Sequence, residues 1–255
     1  HYLKPKRAFF SVSTVMSVLG VTIGVAVLVV VLSVMNGFDQ LWRDKILSFN
    51  AHLLVSGEGM LYDEEALVER VRSVEGVEAA APNVEGLVFL QHGQQVYTPF
   101  LRGIDPRPGR DVMRIGGSVV EGRLPAGEDE VVLGRDLARR MGLRMGDRVL
   151  AYAPQRFVYE DELHLPSELT LVGLYDLGMW DFDIGFALAT LDTARDVFGI
   201  ESGSHSVQVM IDDPYRAPAV AAGLAEALGP RFHVRTWMDM NRQLFTALRV
   251  EKNMM

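Results

Sequence analysis

Between residues 8 and 38 the chain carries no charged side chain, a run of 31 residues reading AFFSVSTVMSVLGVTIGVAVLVVVLSVMNGF. Lys4, Lys6 and Arg7 stand just before it, and Asp39, Arg43, Asp44 and Lys45 follow. An α-helix rises about 1.5 Å per residue, so roughly 20 apolar residues already cross the hydrocarbon of a bilayer. The run is too long for an ordinary core helix and for the apolar region of a signal peptide. It predicts a membrane-spanning helix with the remaining two hundred or so residues on one side of the membrane. The basic residues ahead of the run place the N-terminus in the cytoplasm and the bulk of the chain outside it.

Charge agrees with that orientation. The whole chain carries −8, and the three basic residues before the run contribute +3, which leaves −11 for everything after them. A domain this acidic is a poor partner for nucleic acid or for an anionic lipid surface. Cysteine is absent, so no disulfide framework holds the domain, which must bury a core of its own.

Inside the span, Gly20 and Gly24 form a G-x-x-x-G pair, extended by Ser13, Ser17, Ala26 and Ser33. Small residues let a second helix approach closely in lipid, although glycine is also common in membrane helices without such a role. Past Asn36-Gly37, the residues Phe38, Leu41, Trp42, Ile46 and Leu47 recur near helical spacing. The helix is therefore expected to project beyond the bilayer and to end near residues 48–50.

The rest reads as an α+β chain with short strands. Strands are expected at 51–56, 77–81, 86–92, 94–103, 130–133, 148–153, 169–177, 186–191, 206–211 and 232–237. Helices are expected at 64–73 after Tyr62-Asp63, at 135–141 after Gly134, at 193–198 after Asp192, and from Pro214 to Leu228 before Gly229-Pro230. His92-Gly93 reads as a hairpin turn and Gly146-Asp147 as a turn into a strand. Residues 1–50 form the N-terminus, the first span and its extension. Residues 51–238 form a mixed α+β domain of two subdomains, one of them inserted at about 105–195. Residues 239–255, with Leu244, Phe245, Leu248 and Val250 at helical spacing, read as the start of a second membrane helix.

The sequence holds no persuasive catalytic or metal-binding constellation and implies no cofactor. It contains no P-loop, H-E-x-x-H or G-x-S-x-G pattern. The six histidines, at 1, 52, 92, 164, 205 and 233, lack metal-ligand spacing. Glu160-Asp161-Glu162 with His164 reads as a solvated acidic loop, and Asp181 and Asp183 around Phe182 as a polar turn between strands.

Residues 154–167, PQRFVYEDELHLPS, lie between two expected strands. A tight hairpin needs two to five residues, and this connection has fourteen, bounded by Pro154 and Pro166. It carries Phe157, Val158, Tyr159, Leu163 and Leu165 among its charges. Long apolar connections either fold back locally or serve binding, and both readings stand.

Three segments together resemble one family. SVLGVTIGVAVLVVVLSVMNGFDQ (17–40) looks like the first span of the lipoprotein-releasing, Lol-type ABC transporter permeases. VVLGRDLARRMGLRMGDRV (131–149) resembles the extracytoplasmic core domain shared with macrolide-exporter permeases, and NRQLFTALRVEKNMM (241–255) looks like the start of the second Lol-type span. The resemblance implies a multi-pass protein of the bacterial inner membrane whose large domain is periplasmic. Such permeases extract lipoproteins and pass them to a periplasmic carrier, while a separate ATP-binding cassette subunit hydrolyses ATP. It further implies a second permease subunit, identical or not, with lipoproteins and membrane lipids as the other partners and no nucleic acid. The positions matching acyl-chain contacts are Val31, Met35, Asn36 and Phe38, and Met35 has the adaptable thioether suited to irregular apolar ligands. The loop matching the carrier-docking hook is 154–167, with Pro154, Gln155, Arg156, Phe157, Val158, Tyr159, Leu163, Leu165 and Pro166 as its docking residues. The competing readings are a macrolide-exporter-type permease, a single-span membrane-anchored sensor and an anchored enzyme.

Overall fold

The computed structural model describes residues 6–105, 107, 110–113, 115–159 and 165–241; for 6–13, 36, 38–46, 48 and 157–159 it describes the backbone alone. The chain divides into two compact units, His1–Ile46 and Leu47–Met255. The segment 242–255, expected to begin a second membrane helix, lies outside the described residues.

Helix α1 runs without interruption over Lys6–Phe49. It is followed by β1 (Leu53–Ser56), α2 (Glu64–Arg72), β2 (Val77–Asn83), β3 (Glu85–Leu87), β4 (Phe89–His92), β5 (Gln95–Tyr97), β6 (Phe100–Ile104), β7 (Val119–Gly122), β8 (Glu130–Gly134) and α3 (Arg135–Met141). Then come β9 (Arg148–Tyr152), α4 (Pro154–Tyr159), β10 (Ser167–Tyr175), α5 (Trp180–Gly185), β11 (Phe186–Thr190), α6 (Leu191–Phe198), β12 (Ser206–Ile211), α7 (Ala217–Leu228), β13 (His233–Thr236) and α8 (Trp237–Met240). The result is an N-terminal apolar helix followed by a mixed α+β domain with two sheets.

The smaller sheet has the order β13-β1-β12-β2 and is antiparallel throughout. Helix α2 connects β1 to β2, and α7 connects β12 to β13, which is the split βαβ arrangement. Its strands alternate as period-2 geometry requires. Leu53, Val55, Ala80, Val207, Val209 and Ile211 meet Leu67, Val68 and Val71 of α2 and Val220 and Leu224 of α7 in one core. Ala79, Ala81 and Met210 point the other way.

The strands between β2 and β12 build the larger sheet, ordered β3-β6-β11-β8-β10-β9-β4-β5, with β7 paired to β10. Only Val88 separates β3 from β4, yet these strands stand near opposite ends of that order. The sheet must therefore curl until its two ends nearly meet. Val84, Leu90, Leu101, Val131, Leu133, Val149, Leu169, Leu171 and Ala187 fill its interior, closed by Leu137 and Met141 of α3 and Val197 and Phe198 of α6. Burying a side chain of this size stabilises by about 1.5–3 kcal/mol.

A third core joins the outer face of the curled sheet to the free face of the smaller one. Val132, Tyr175 and Leu188 meet Ala79, Ala81 and Met210 there, with Phe49 among them. Ion pairs reinforce the junction. Glu64 at the start of α2 binds Arg195, and Glu65 binds Arg107 and Arg110, which also reach Asp105.

Several sequence expectations need correction. The single strand expected at 94–103 is two strands, because Pro99 has no N–H for a ladder and the two halves join different neighbours, β4 and β6's partners β3 and β11. The strand expected at 86–92 likewise divides at Val88. The expected polar turn at 181–183 is helix α5; Asp183 is buried and its carboxylate accepts from the N–H groups of Leu177 (2.8 Å) and Met179 (3.0 Å). Helix α6 starts at Leu191, before Asp192, because the Thr190 hydroxyl caps it by accepting from the N–H of Thr193. Trp237 opens α8 instead of ending a strand, held by a capping box between Thr236 and Asp239. Pro214 begins a short 3₁₀ turn, and α7 proper starts at Ala217. Strand β7, Val119–Gly122, lies outside the expected strands.

Candidate functional site

Two surfaces carry the residues singled out in the sequence. The first lies on α1. Thr14–Met35 has a mean hydropathy of 2.8, is long and apolar enough to cross a membrane, and is covered by none of the described residues. Val31 and Met35 are exposed on it. Asn36 and Phe38 have helical backbone, and their side chains lie outside the described residues. A Cβ added at Gly20 or Gly24 would meet open space. The hydroxyl of Thr22 donates to the carbonyl of Val18 at 2.8 Å, which satisfies it inside the helix, as an apolar surrounding requires.

The second surface is the connection from β9 to β10. It is not a fourteen-residue loop: its first six residues form helix α4, and Ser167 already belongs to β10. Pro154 favours that helix, since proline at a first helical position brings a preset φ and lacks an N–H that would find no partner there. Arg156 roots the segment on α6, donating from Nη1 to the carbonyl of Asp196 at 3.4 Å. Its side chain also covers Gly199, where a Cβ would stand 3.1 Å from Arg156 Nε. Gln155 is exposed, Pro166 is half-buried, and Leu165 is 83% exposed. Phe157, Val158 and Tyr159 have helical backbone with side chains outside the described residues, and Leu163 lies in 160–164, also outside them.

Several titratable groups of the domain are engaged in structure. Arg110, itself buried, binds Asp105 at 3.1 Å and also Glu65. The Arg110 hydrogen bond holds the Glu65 carboxyl below its usual range. Burial pushes Asp105 up, and the hydrogen bonds and charge of Arg107 outweigh it, so its net shift is downward. Burial raises Asp183 despite its two backbone donors, and burial also raises the Tyr175 phenol, which donates to the carbonyls of Phe182 (2.8 Å) and Phe186 (3.0 Å). Among the described residues no group of three His, Cys, Asp or Glu side chains is placed to hold a metal ion. These arrangements hold the fold together. Sequence reading missed the Glu65, Asp105, Arg107 and Arg110 network because its members come from segments some forty residues apart.

A model of the MacB-like periplasmic core domain matches residues 14–227. The chain belongs to the MacB-like periplasmic core domain family. This MacB-like chain is 31% identical over 263 residues to the lipoprotein-releasing system transmembrane protein LolC of Neisseria meningitidis serogroup B, covering 100% of the chain and 63% of that relative. It is 30% identical over 261 residues to LolC of Xylella fastidiosa, with the same coverage. The LolE protein of Haemophilus influenzae is 21% identical over 263 residues, covering 99% of the chain and 62% of the relative. The chain thus spans a little under two thirds of the length of the relatives it matches. The crystal structure of the periplasmic region of MacB from Actinobacillus actinomycetemcomitans aligns with a TM-score of 0.49 at 13% identity, over 77% of the chain and 94% of that structure. The likeness to Lol-type permeases carried by 17–40, 131–149 and 241–255 therefore extends over the whole MacB-like chain.

Proposed function

We propose that the chain provides the first membrane span and the periplasmic core domain of a Lol-type permease subunit. In this reading the assembly extracts lipoproteins from the bacterial inner membrane and hands them to a periplasmic carrier. ATP is hydrolysed on a separate ATP-binding cassette subunit, and a second permease subunit completes the membrane part. The observation that carries the reading is the match along the full chain to lipoprotein-releasing system proteins, uncovered apolar helix included.

The physical demands fit. A lipid anchor is held by about 0.8 kcal/mol per buried CH₂, so spontaneous release of several acyl chains is negligible and extraction has to be driven. An apolar helix with exposed Val31 and Met35, continued by Asn36 and Phe38, offers acyl chains a surface of like polarity. Gly20 and Gly24 leave room for a neighbouring helix. The β9–β10 connection, anchored through Arg156 and ending in the exposed Leu165, serves as the carrier-docking arm.

The arm is tested by replacing residues 154–166 with Gly-Ser in the full-length permease and measuring capture of the periplasmic carrier. Capture should fall at least tenfold. Equal capture by both proteins removes the docking role.

A further inference from the structure

The geometry points to Arg156 as a positioning residue that fixes the direction in which the β9–β10 connection leaves the domain, an inference that rests on the docking role proposed above. Helix α6 is the base on which it acts. Leu191, Ala194, Val197 and Phe198 of α6 are buried in the interior of the curled sheet, so a close-packed core holds the end of this helix. The helix stops at Gly199, whose φ of 70° is left-handed and whose N–H returns to the carbonyls of Arg195 and Asp196. Carbonyls at such an end carry partial negative charge, and a cation beside them is favoured. Arg156 supplies one, with Nη1 donating to the carbonyl of Asp196 at 3.4 Å.

The fit depends on two glycines. A Cβ on Gly199 would stand 3.1 Å from Nε, 3.4 Å from Cζ and 3.5 Å from Cδ of Arg156. The guanidinium end therefore lies directly over the bare backbone of the α6 cap. A Cβ on Gly86 of β3 would stand 2.9 Å from Nε2 of Gln155 and 2.8 Å from Cε1 of Phe198. Two successive residues of α4 thus rest against backbone that carries no side chain at the point of contact. The start of α4 is tied as well, by the N–H of Arg156 to the carbonyl of Ala153 at 3.1 Å. The returning end of the connection reaches the same place: Leu165 and Pro166 line one narrow gap with Arg156, Tyr152 and Val197. Both ends of the connection are therefore seated beside α6. An arm already held in one direction loses less freedom on docking than one that docking must order.

The test separates holding the arm from touching the carrier. In the full-length permease, affinity for the purified periplasmic carrier is measured beside the rate at which a glutamate-specific protease cuts after Glu160 and Glu162. Arg156→Ala should weaken carrier binding about tenfold, because the arm must then be ordered on docking, and should speed those cuts at least about fivefold, because a freed loop is cut more readily. Arg156→Lys keeps a cation at the end of α6 and should stay within about threefold of wild type in both measurements. Unchanged binding by Arg156→Ala, where Gly-Ser replacement of the arm abolishes binding, overturns the inference and leaves the docking role standing. Weaker binding without faster cutting would make Arg156 a direct carrier contact and overturns it too, as does a loss in Arg156→Lys equal to that in Arg156→Ala. Thermal unfolding shows whether Arg156→Ala still folds; if it does not, Arg156→Gln, which keeps the stem and removes the charge, is held to the same expectations. Undiminished binding after replacement of the whole arm would instead remove the docking reading itself.

Discussion

Gly134 stands where β8 passes into α3, and the carbonyl oxygen of Asp183 lies 1.9 Å from the point a Cβ would occupy. No shift of a flexible side chain relieves that overlap, because the atom is backbone. Gly134→Ala should therefore destabilise the domain by about 3 kcal/mol or more, read as a lowered midpoint in chemical denaturation; an unchanged midpoint refutes the close approach. A second residue prediction concerns acid. Glu130 accepts from Arg123 (2.7 Å from Nη1) and from the N–H groups of Ala126 and Gly127 (both 2.9 Å). The Arg123 hydrogen bond, aided by those two backbone donors, holds the Glu130 carboxyl down at about 2, against 4.5 when unperturbed. A carboxyl depressed in the folded state contributes stability above its unfolded value and loses it as pH falls toward the folded one. Glu130→Gln should thus be less stable than wild type at neutral pH, and the gap in melting temperature should close between about pH 4.5 and 2. A constant gap across that window would exclude the ionic contribution. Neither residue announced its role in the sequence. Gly134 read only as a helix start, since nothing local shows that Asp183 packs against it.

At the scale of the element, α1 carries the longest argument. Its 44 residues measure about 66 Å at the rise of an α-helix, roughly twice the hydrocarbon thickness. The glycine pair lies inside the apolar part, with open space at both positions. If that space receives a second membrane helix, Gly20→Leu and Gly24→Leu should each lower lipoprotein release by about tenfold in reconstituted vesicles. Normal release by both variants would end the packing role. Elements with strong local punctuation were legible to the residue. Helix α3 occupies 135–141 because Gly142 takes the left-handed conformation (φ 70°) that ends it. Elements that depend on distant partners were not: β7 exists because it pairs with β10, fifty residues on, and α5 because Asp183 satisfies two N–H groups ahead of it.

For the whole molecule, the arrangement is a split βαβ unit into which the nine-stranded sheet is inserted between β2 and β12. The third core cements the two with Tyr175, Leu188, Met210 and Phe49. Membrane orientation belongs to this scale as well. Residues 1–255 contain no cysteine, and Ser202 is exposed, so Ser202→Cys in the full-length permease, with any cysteine outside these residues replaced by serine, reports on the side where the domain lies. With a permeabilised outer membrane and an intact inner one, an impermeant maleimide should label it. Labelling only after the inner membrane is broken would reverse the proposed topology.

Taken alone, the sequence determined the membrane-length helix, its charge-flanked ends and most strands and helices. Those features are written in spacing between neighbours, where hydrophobic period and chain punctuation act over a few residues. Only the tertiary structure decided that the larger sheet curls and packs on the free face of the smaller one, that α4 begins the connection after β9, and that Phe49 lies beneath Arg102. The physical reason is range: Phe49 and Arg102 stand 53 positions apart, and a contact made across that distance leaves no periodicity in the chain between them.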